Sequence, residues 1–577
     1  MKNNNKEIAK IFNEISGFLA MDKVPFKPFA YEKAAVVLAS LNEDVSQIYQ
    51  QGGIKALEEL PGVGESMAKK IVEYLKTGKI KYYQGLKKMT PINLAEISEV
   101  EGLGPKKTKI LYEKLGIRNL KELESAAKKG KIAPLFGFGE KTEKNILEGI
   151  AFTKRAKGRF LLGEIFPMVR EIEERLASLG EVEKISVAGS IRRKKETIGD
   201  VDFLVVTKAP EKVMDFFVSL PGVVKVWGKG KTKSSVRLEE GFDVDLRVVP
   251  PKSYGAALQY FTGSKEHNIA TRKIAIFKNL KLSEYGLFTK GNKIIAGRNE
   301  EEVYQALEMD WIPPELRENQ GEIEAALKHQ LPHLVEQKEI KGDLHCHSDW
   351  DGGGNTISEM AEKAVSLGYQ YLGISDHTKF LRIENGLGEE ELAGQRKEIE
   401  KINKRFQDAN LDFQLLQGCE ANILKDGSFD IKDSALAKLD YVIGGIHSSL
   451  KMAQKEMTER MIKAMKNPVL KIISHPSGRI LKKRDEYEVD FEKILRAAKE
   501  FKVILEINSS PVRLDLNDKK IKIAKERGVK MAINTDAHSR EQLELMEFGL
   551  YQARRGWAEK KDILNCEGIK DLRKSLK

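Results

Sequence analysis

Seven short apolar segments, each ending in a polar residue able to bind or support a metal ion, most constrain the fold of this chain. Six of its nine histidines lie in these segments, after residue 340. Helical patterns separate the segments, as at 357–367 and 454–465. Strands that alternate with helices and carry polar side chains at their C-terminal ends are typical of a (β/α) barrel. The segments are 342–347, 371–377, 415–420, 441–447, 470–475, 503–508 and 531–538.

The polar residues of these segments predict a metal centre. A single histidine is most often a core residue with satisfied hydrogen bonds, but six at strand ends with acidic partners favour metal ligation. Their order, His-x-His, Ser-Asp-His, Glu, His, His-Pro and Asp-x-His, resembles the polymerase and histidinol phosphatase (PHP) superfamily over about residues 339–575. The resemblance implies up to three Mn²⁺ or Zn²⁺ ions, which activate water for phosphoester hydrolysis. The ligands that it implies are His345, His347, His377, Glu420, His447, His475, Asp536 and His538.

The same resemblance implies a ninth ligand, an aspartate that follows the first histidine pair. The local sequence is shifted by one residue here, and Asp351 is our candidate for this position. Asn508 and Arg513 resemble family positions that support the ligands and bind phosphate. The predicted site therefore combines metal ligands with a cationic side chain suited to a phosphate group.

A second chemical pattern lies at residues 187–206, where a Gly-Ser turn and four basic residues precede a strand with Asp200 and Asp202. Because the side chains of a strand alternate, both carboxylates are expected on one face, and the residues between them point into the core. Two adjacent carboxylates repel each other unless a cation lies between them, and hard oxygen ligands suit Mg²⁺ or Mn²⁺. The N–H groups of the turn and the guanidinium groups of Arg192 and Arg193 suit a polyphosphate.

A third carboxylate is expected from the neighbouring strand at 241–249, where spacing alone does not choose between Asp243 and Asp245. Gly189-Ser190, followed by Gly199-Asp200-Val201-Asp202, resembles the nucleotidyltransferase motif of family X DNA polymerases, the DNA polymerase beta group. The resemblance extends in order from about residue 6 to about residue 311. It implies a palm in which Asp200 and Asp202 bind two Mg²⁺ or Mn²⁺ ions and Asp245 completes the first. The substrate-binding residues that it implies are Gly189, Ser190, Arg193, Gly199, Tyr260, Phe261, Gly263, Asn268 and Arg272.

Residues 6–150 are expected to be mostly helical and contain a repeated Gly-hydrophobic-Gly turn between helices. The good copies contain Gly62 with Gly64 and Gly102 with Gly104, and a weaker copy follows at 136–141. Glycine lets such a turn approach a phosphate, and the next helix start points N–H groups at it. On a chain of net charge +12, this repeat predicts sequence-independent binding to the DNA backbone. In the family, backbone carbonyls of such hairpins also hold Na⁺ or K⁺, here by position Leu60, Val63, Ser98, Val100 and Leu103.

The first domain of family X polymerases can carry a Schiff-base lysine that removes a 5′-deoxyribose phosphate. By position this lysine is Lys70, and Lys27 and Tyr31 match other residues of its pocket. Phe26 and Ser66 stand where the family has a histidine and a lysine. Because a neighbouring cation is one way to lower the pKa of a lysine, its loss leaves a second interpretation open, in which Lys70 only contacts a 5′-phosphate.

The predicted fold class is multidomain α+β and α/β, with helical helix-hairpin-helix domains, a beta-like nucleotidyltransferase palm and thumb, and a C-terminal (β/α)7 PHP barrel. No apolar segment approaches the length of a membrane span, and three cysteines make no disulfide framework, so we expect a cytoplasmic, nucleoid-associated protein. The expected domains are 1–80 (8-kDa-like), 81–150 (fingers-like), 151–250 (palm), 251–318 (thumb), 319–338 (linker) and 339–577 (PHP).

Together the two resemblances imply a family X DNA polymerase joined to a PHP domain. Such an enzyme fills short gaps in base excision repair, and its PHP domain supplies a 3′-5′ exonuclease and a possible abasic-site endonuclease. The expected partners are gapped or primer-template DNA and deoxynucleoside triphosphates, and we expect a monomer without a membrane partner. Two alternatives stay open: a DNA-binding scaffold with a silent catalytic centre, and a polymerase scaffold whose PHP domain is a small-molecule phosphatase.

Overall fold

The computed structural model describes residues 4–22, 24–41, 43–60, 62–98, 100, 103–156, 158–379 and 385–576. These residues form two compact units, one of residues 1–157 with 480–485 and one of residues 158–479 with 486–577. A search of the helices in the described ranges finds none that combines the length and the apolar character of a membrane span.

The first unit is built from helices that bury two separate apolar clusters. One cluster contains Phe12, Leu38 and Ile71, and the other contains Ile97 and Leu123. Helix α4 begins after Gly64 and helix α7 after Gly104, as the repeated turns predict. The helices are α1 (Asn4–Met21), α2 (Lys27–Ser40), α3 (Val45–Glu58), α4 (Glu65–Thr77), α5 (Lys81–Met89), α6 (Leu94–Ser98), α7 (Pro105–Leu115), α8 (Leu120–Lys128) and α9 (Glu140–Ala156).

The second unit starts with a five-stranded sheet that carries the predicted palm. Strand β4 lies beside β2 and β7, in the order β2-β4-β7-β6-β5, and only the β4–β7 pair is parallel. The elements are β1 (Phe160–Leu161), α10 (Leu162–Ala177), β2 (Val182–Val187), α11 (Gly189–Arg192), β3 (Thr197–Ile198), β4 (Asp200–Thr207), α12 (Pro210–Val218), β5 (Val223–Lys229), β6 (Lys233–Leu238) and β7 (Asp243–Val248).

The predicted thumb follows as two helices, a small antiparallel sheet and two further short helices. Its apolar core includes Ala275, Leu287 and Leu307. The elements are α13 (Tyr254–Thr262), α14 (Lys265–Phe277), β8 (Leu280–Ser283), β9 (Gly286–Thr289), β10 (Ile294–Ala296), α15 (Glu300–Ala306) and α16 (Glu322–Leu327).

A buried carboxylate joins the palm to the thumb. Glu300, at the start of α15, accepts a bidentate pair of hydrogen bonds from Arg192 of α11, at 2.8 Å each. The guanidinium group of Arg317 donates two hydrogen bonds to the same carboxylate, at 2.5 and 3.0 Å, and the Trp311 indole donates a third at 3.1 Å. Burial raises the pKa of Glu300, but the two arginines outweigh this and hold it far below its ordinary value. The carboxylate is therefore the centre of a three-residue ion network.

The remaining residues form the expected barrel of seven parallel strands. Two sheets, in the order β11-β12-β13 and β14-β15-β16-β17-β18, are joined where His377 pairs with Glu420 and where Cys346 pairs with Ala537. Strands β13 and β14 occupy one barrel position, interrupted at residues 418–419. The strands are β11 (Gly342–Cys346), β12 (Tyr371–Ile374), β13 (Gln414–Gln417), β14 (Glu420–Asn422), β15 (Val442–Gly445), β16 (Leu470–Ile473), β17 (Ile504–Asn508) and β18 (Met531–Asn534).

Apolar and aromatic side chains fill the barrel interior. Tyr441 crosses it and donates a hydrogen bond to the carbonyl of Leu344 at 2.6 Å. A Cβ at Gly373 would lie 2.0 Å from the Tyr441 hydroxyl, so only glycine fits there. The barrel helices are α17 (Ile357–Ser366), α18 (Glu389–Asp408), α19 (Asp433–Leu436), α20 (Gln454–Met465), α21 (Phe491–Phe501), α22 (Asp518–Arg527), α23 (Met546–Arg555) and α24 (Ile569–Ser575).

The change Glu300→Gln is expected to lower the free energy of unfolding of the second unit by about 3–5 kcal/mol, because it leaves the buried Arg317 and the partly buried Arg192 without their counter-charge. Denaturant unfolding followed by fluorescence measures this loss. The matched control is Glu301→Gln, an exposed residue of the same helix, which should leave the unfolding midpoint nearly unchanged. Equal midpoints for the two variants would contradict the importance of the network.

Candidate active sites

The first candidate site lies at the start of β4, where three carboxylates come together. Asp200 and Asp202 share one face of the strand, and Val201 between them is fully buried, as the alternation predicts. The parallel register places Asp202 directly opposite Asp245 of β7. Burial, reinforced by the charges of Asp200 and Asp245, raises the pKa of Asp202 to about 6. A close group of carboxylates of this kind is suited to divalent cations.

The contacts of Asp243 and Asp245 differ. Asp243 lies opposite Asp200, and its two carboxylate oxygens accept from Arg237 at 2.8 and 2.7 Å and from the Trp227 indole at 2.8 Å. The hydrogen bond from Arg237 is the largest of the contacts that lower the pKa of Asp243. Asp245 instead accepts from Ser235 and lies 2.6 Å from the Lys233 ammonium. Of the two, only Asp245 lies opposite Asp202, which favours it as the third member of the cluster.

The Gly-Ser turn lies against this cluster. Gly189 has φ +66°, and a Cβ at this position would lie 3.3 Å from Asp202 Oδ2, so a larger residue would crowd the carboxylate. Ser190 follows in the short helix α11. Gly199 directly precedes β4, and a Cβ there would lie 3.6 Å from Arg159 Nη1. Gly189 thus lies against Asp202, and Gly199 leads directly into the strand that carries Asp200 and Asp202.

The two arginines after the turn have different partners. Both terminal nitrogens of Arg192 donate to Glu300, and Nη1 also donates to Thr262 Oγ1, so the expectation that its guanidinium fork is available to a polyphosphate is wrong. Arg193 donates from Nε to Glu318 at 3.1 Å and from Nη1 to the carbonyl of Thr262. Among the described residues, its Nη2 makes no hydrogen bond and is the atom left for a ligand.

The predicted base-pair residues are gathered where α13 meets α14. The rings of Tyr260 and Phe261 meet edge to face at 5.2 Å. The Asn268 amide donates to the carbonyl of Tyr260 at 2.7 Å, and Arg272, one turn later, donates to the carbonyl of Asn268 at 3.1 Å. Gly263 lies between the helices with φ +69°, and a Cβ there would lie 3.0 Å from Arg193 Nη1. This group therefore borders the arginine of the Gly-Ser turn.

The helix-hairpin-helix turns have the local geometry expected of backbone binders. Gly62 has φ +74°, and the N–H of Val63 donates to the carbonyl of Leu60 at 3.0 Å. In the second turn, the N–H of Leu103 donates to the carbonyl of Val100 at 3.2 Å, and Ser98 ends α6. Gly64 and Gly104 directly precede α4 and α7 without a side chain over the helix start. Gly102 lies outside the described residues.

The Lys70 amine is partly buried in the first unit, beside Ser66 and two tyrosine rings. It donates to the hydroxyl and to the carbonyl of Ser66 at 2.8 and 3.0 Å. The rings of Tyr31 and Tyr82 lie 5.9 and 5.2 Å from it. Burial, with a smaller effect from Lys27, lowers the pKa of Lys70. Where the family has a second lysine, Ser66 therefore supplies hydrogen-bond acceptors to Lys70. Phe26, at the position of the family's histidine, is almost fully exposed.

The second candidate site lies at the C-terminal ends of the barrel strands, around the carboxylate of Glu420. Its oxygens lie 2.9 Å from His377 Nδ1, 3.1 Å from His475 Nε2, 3.3 Å from His447 Nε2 and 3.5 Å from His345 Nε2. Burial raises the pKa of Glu420, but the imidazoles outweigh it and hold the pKa well below its ordinary value. Glu420 begins a short strand of its own rather than ending one, which directs it to the centre of four imidazoles.

A second group forms around Asp536. Its Oδ1 lies 3.3 Å from His347 Nε2 and 3.7 Å from His345 Nε2. The ring of His538 stacks on that of His347 with centroids 4.1 Å apart, and these two rings lie within ligand distance of His377. The eight residues that the sequence pattern implies as ligands therefore come together at one face of the barrel.

Supporting residues fix the orientation of these rings. His345 Nδ1 lies 2.7 Å from Glu506, and His447 Nδ1 lies 2.7 Å from the Asn422 amide oxygen. Asn508 donates to both Glu506 and Asp536 at 3.1 Å. Contacts of this kind set the tautomer of a ligating imidazole. The sequence analysis missed Glu506 and Asn422, although both lie on strands at this face and the strand period could have indicated them.

Asp351 lies inside the same group. Its Oδ2 lies 2.6 Å from His347 Nδ1 and accepts the backbone N–H of His377 at 2.8 Å, while its Oδ1 has no hydrogen-bond partner among the described residues. Asp376, which accepts from Ser348 at 2.6 Å, is close enough to complete a third group with Asp351 and His347. The structure thus places Asp351 at the site, with one oxygen on a ligand ring and the other free to bind.

Several buried polar atoms of this site have no hydrogen-bond partner among the described residues, which indicates whether the site fits metal ions. Burying such an atom without a partner is costly, and bound cations remove that cost. The buried atoms without a hydrogen-bond partner among the described residues include the Nε2 atoms of His345 and His347, Nδ1 of His377, Glu420 Oε2 and Asp351 Oδ1. Mixed imidazole and carboxylate donors suit Mn²⁺ or Zn²⁺. The residues present therefore fit a cluster of transition-metal ions.

Family models match most of this chain. Residues 257–318 match the DNA polymerase beta thumb, and residues 343–510 match the PHP domain. Residues 3–80 match a helix-hairpin-helix domain, and residues 94–151 match a SAM-like helix-hairpin-helix tandem. These matches confirm the predicted fold class.

Curated relatives share either nearly the whole chain or about a third of it. The DNA polymerase/3′-5′ exonuclease PolX of Bacillus subtilis strain 168 is 37% identical over 576 residues, which cover 99% of each chain. A protein named probable phosphatase from Caldicellulosiruptor bescii is 30% identical over 209 residues, which cover 34% of this chain and 80% of the relative. A protein named probable phosphatase from Thermoanaerobacter sp. strain X514 is 33% identical over 208 residues, which cover 34% of this chain and 78% of the relative.

The change Glu420→Ala is expected to remove most barrel metal, because one carboxylate lies against four imidazoles. His538→Ala is the matched variant and should lose less, since the His538 side chain is 35% exposed and lies at the edge of the group. Elemental analysis of the purified proteins after dialysis measures both. A full metal complement in Glu420→Ala would contradict the central role of this carboxylate.

Proposed function

Because this chain belongs to the PolX family, the family X DNA polymerases that carry a PHP domain, we propose that it extends DNA primers at the palm and removes 3′-terminal nucleotides at the barrel. The observation that carries the first activity is the pairing of Asp202 with Asp245 beside Asp200, under the Gly-Ser turn. The observation that carries the second is the group of imidazoles around Glu420. Two separate centres support two separable activities.

At the palm, Asp200, Asp202 and Asp245 would hold two Mg²⁺ or Mn²⁺ ions. Bound ions of this kind activate the primer 3′-hydroxyl and neutralise the charge of the triphosphate. A pKa of about 6 leaves Asp202 mostly ionised at neutral pH, so it is available as a ligand. Gly189, Ser190 and the free Nη2 of Arg193 would bind the triphosphate of the incoming nucleotide.

The thumb would hold the nascent base pair against this site. The Asn268 amide donates to the Tyr260 carbonyl and Arg272 Nε donates to the Asn268 carbonyl, so the three residues would present a fixed edge. Rigid positioning of the new pair is the main contribution that a polymerase makes to an in-line displacement. The guanidinium carbon of Arg247 lies 4.6 Å from the centre of the Phe261 ring, and this contact would support that edge.

At the barrel, the eight strand-end ligands and Asp351 would hold up to three Mn²⁺ or Zn²⁺ ions. Ions bound there supply hydroxide at neutral pH and neutralise a phosphodiester. Glu506 and Asn422 keep the rings of His345 and His447 in position. Arg513 lies 3.7 Å from Asp536 and would bind the phosphate that is cut.

The helical first unit would bind the substrate as gapped or primer-template DNA. Its glycine turns expose N–H groups at helix starts, which bind phosphates without reading sequence. Leu60, Val63, Ser98, Val100 and Leu103 would supply carbonyls for Na⁺ or K⁺. This role suits a cytoplasmic, nucleoid-associated monomer that fills short gaps in base excision repair, with a further capacity to cut at abasic sites.

The proposed domains are 1–80, 81–150, 151–250, 251–318, 319–338 and 339–577. Two apolar clusters in the first unit support the first boundary. The small-molecule phosphatase alternative for the barrel draws on relatives named probable phosphatase, which match 34% of this chain. Shortening of a labelled primer by the full-length protein, and its loss in Glu420→Ala, would separate the exonuclease from a phosphatase.

The change Asp245→Asn is expected to reduce primer extension by roughly a thousandfold or more. It removes a negatively charged metal ligand from the place where charge develops in the transition state. Asp243→Asn is the matched variant on the same strand and should retain most extension, since Asp243 is held by Arg237 and Trp227. Extension of a 5′-labelled primer on gapped DNA measures both. Both variants should keep normal primer shortening without nucleotides, and loss of extension in Asp243→Asn alone would reverse the assignment.

The change Lys70→Ala is expected to leave gap filling largely intact and to weaken only binding to gaps with a 5′-phosphate. The reason is that Ser66 accepts hydrogen bonds from the amine where the family has a second cation. Lys69→Ala is the control, since Lys69 is exposed and paired with Glu65. Borohydride trapping of the parent on an abasic 5′-end, lost in Lys70→Ala, would instead show a Schiff-base lyase.

A further inference from the structure

The segment between the Gly-Ser turn and β4 lies against the barrel within the second unit. Its charged side chains form ion pairs and ring contacts with residues from other parts of the fold. Lys194 packs its ammonium over the rings of Phe166 and Tyr551, at 4.0 and 4.4 Å. Glu196 forms an ion pair with Arg479 of the barrel at 2.8 Å. The segment is therefore held by α10 of the palm and by residues of the barrel.

Arg555, the last residue of the barrel helix α23, contacts the main chain of this segment. Its Nη1 donates to the carbonyl of Arg193 at 2.7 Å and lies 3.2 Å from Glu318. Its Nη2 pairs with Asp518 of α22. The Arg555 side chain is only 2% exposed, so all of these contacts are shielded from solvent. One guanidinium group thus joins two barrel helices to the palm and to the end of the thumb.

Glu318 is the shared partner of this contact. It accepts from Arg193 Nε at 3.1 Å and lies 3.7 Å from the Lys195 ammonium. Arg555 consequently holds Arg193 at two places, by its main-chain carbonyl and through the carboxylate that orients its guanidinium group. A buried cation with several fixed acceptors has little freedom, and it passes that constraint to the groups it binds.

We propose that Arg555 of the PHP barrel is a positioning residue for nucleotide binding at the palm. It fixes the backbone and the side-chain direction of Arg193, so that Nη2 faces the triphosphate before the nucleotide arrives. The inference rests on the proposed role of Arg193 as a triphosphate ligand. It gives the barrel a part in DNA synthesis that does not depend on the nuclease metals.

Arg555→Ala is expected to raise the KM for the incoming deoxynucleoside triphosphate by roughly tenfold or more, the size of effect that loss of charge-assisted hydrogen bonds produces. The kcat for single-nucleotide extension should change much less, because the carboxylate cluster is untouched. Arg555→Lys keeps the charge but cannot reach all the acceptors of Arg555, which are Arg193, Glu315, Glu318 and Asp518, so it should give an intermediate KM. Glu318→Gln should raise the KM in the same way from the other side of the contact.

Arg554→Ala is the matched control, since this neighbour on α23 pairs with Glu315 and with the carbonyl of Val335 and does not touch the segment. Its KM should stay at the parent value. Shortening of a 5′-labelled primer without nucleotides measures the barrel in the same preparations. Normal shortening in Arg555→Ala, together with the raised KM, would support the proposal and exclude general misfolding.

Arg193→Ala separates this inference from the function on which it rests. A raised KM in Arg193→Ala with a parent KM in Arg555→Ala would overturn the positioning role and leave the polymerase assignment intact. A parent KM in Arg193→Ala would remove the triphosphate role and the positioning role together. Parallel loss of extension and shortening in Arg555→Ala, Arg555→Lys and Glu318→Gln would make this contact a folding element and would also overturn the proposal.

Discussion

The close packing of titratable groups in a buried site is the constraint on which both chemical centres depend. At the palm, three carboxylates lie at the ends of two paired strands, and their mutual repulsion adds to burial in raising the pKa of Asp202. At the barrel, imidazoles and carboxylates are held close with several polar atoms unpaired. Neither arrangement would persist in a flexible segment, because the groups would separate. Parallel strands of fixed register, with apolar residues packed beneath them, keep the groups together.

The parts of the sites that could be predicted from the sequence are those set by strand geometry. The alternation of a strand places Asp200 and Asp202 on one face, and the strand ends of the barrel bring distant histidines to one face. The family resemblance chose Asp245 over Asp243, and the structure adds a physical reason, since Asp243 is already held by Arg237. In these places local pattern and tertiary structure agree, as expected for a sequence with consistent local and global preferences.

The parts that could not be predicted depend on which of many charged residues pair across the fold. Arg192 and Arg193 are adjacent and chemically equal in the sequence, yet Arg192 is taken by Glu300 and Arg193 by Glu318. Partners more than one hundred residues away are chosen by packing, and no local spacing indicates them. The strand period could have indicated Glu506, but its pairing with His345 joins residues 161 positions apart and depends on the closed barrel. Asp351 differs, because the sequence analysis selected it despite the shift, and its Oδ2 lies 2.6 Å from His347 Nδ1.

The internal pairing of the segment at residues 192–196 has a consequence for electrostatics at longer range. Arg192, Arg193 and Lys195 contact carboxylates, and Lys194 lies between two aromatic rings. Most of the positive charge of this basic segment is therefore paired within the protein. A cation neutralised by a protein carboxylate displaces no counterions from a DNA backbone. The segment therefore contributes little to the ionic-strength dependence of DNA affinity. The net charge of +12 overstates the positive potential that an approaching duplex meets near the palm.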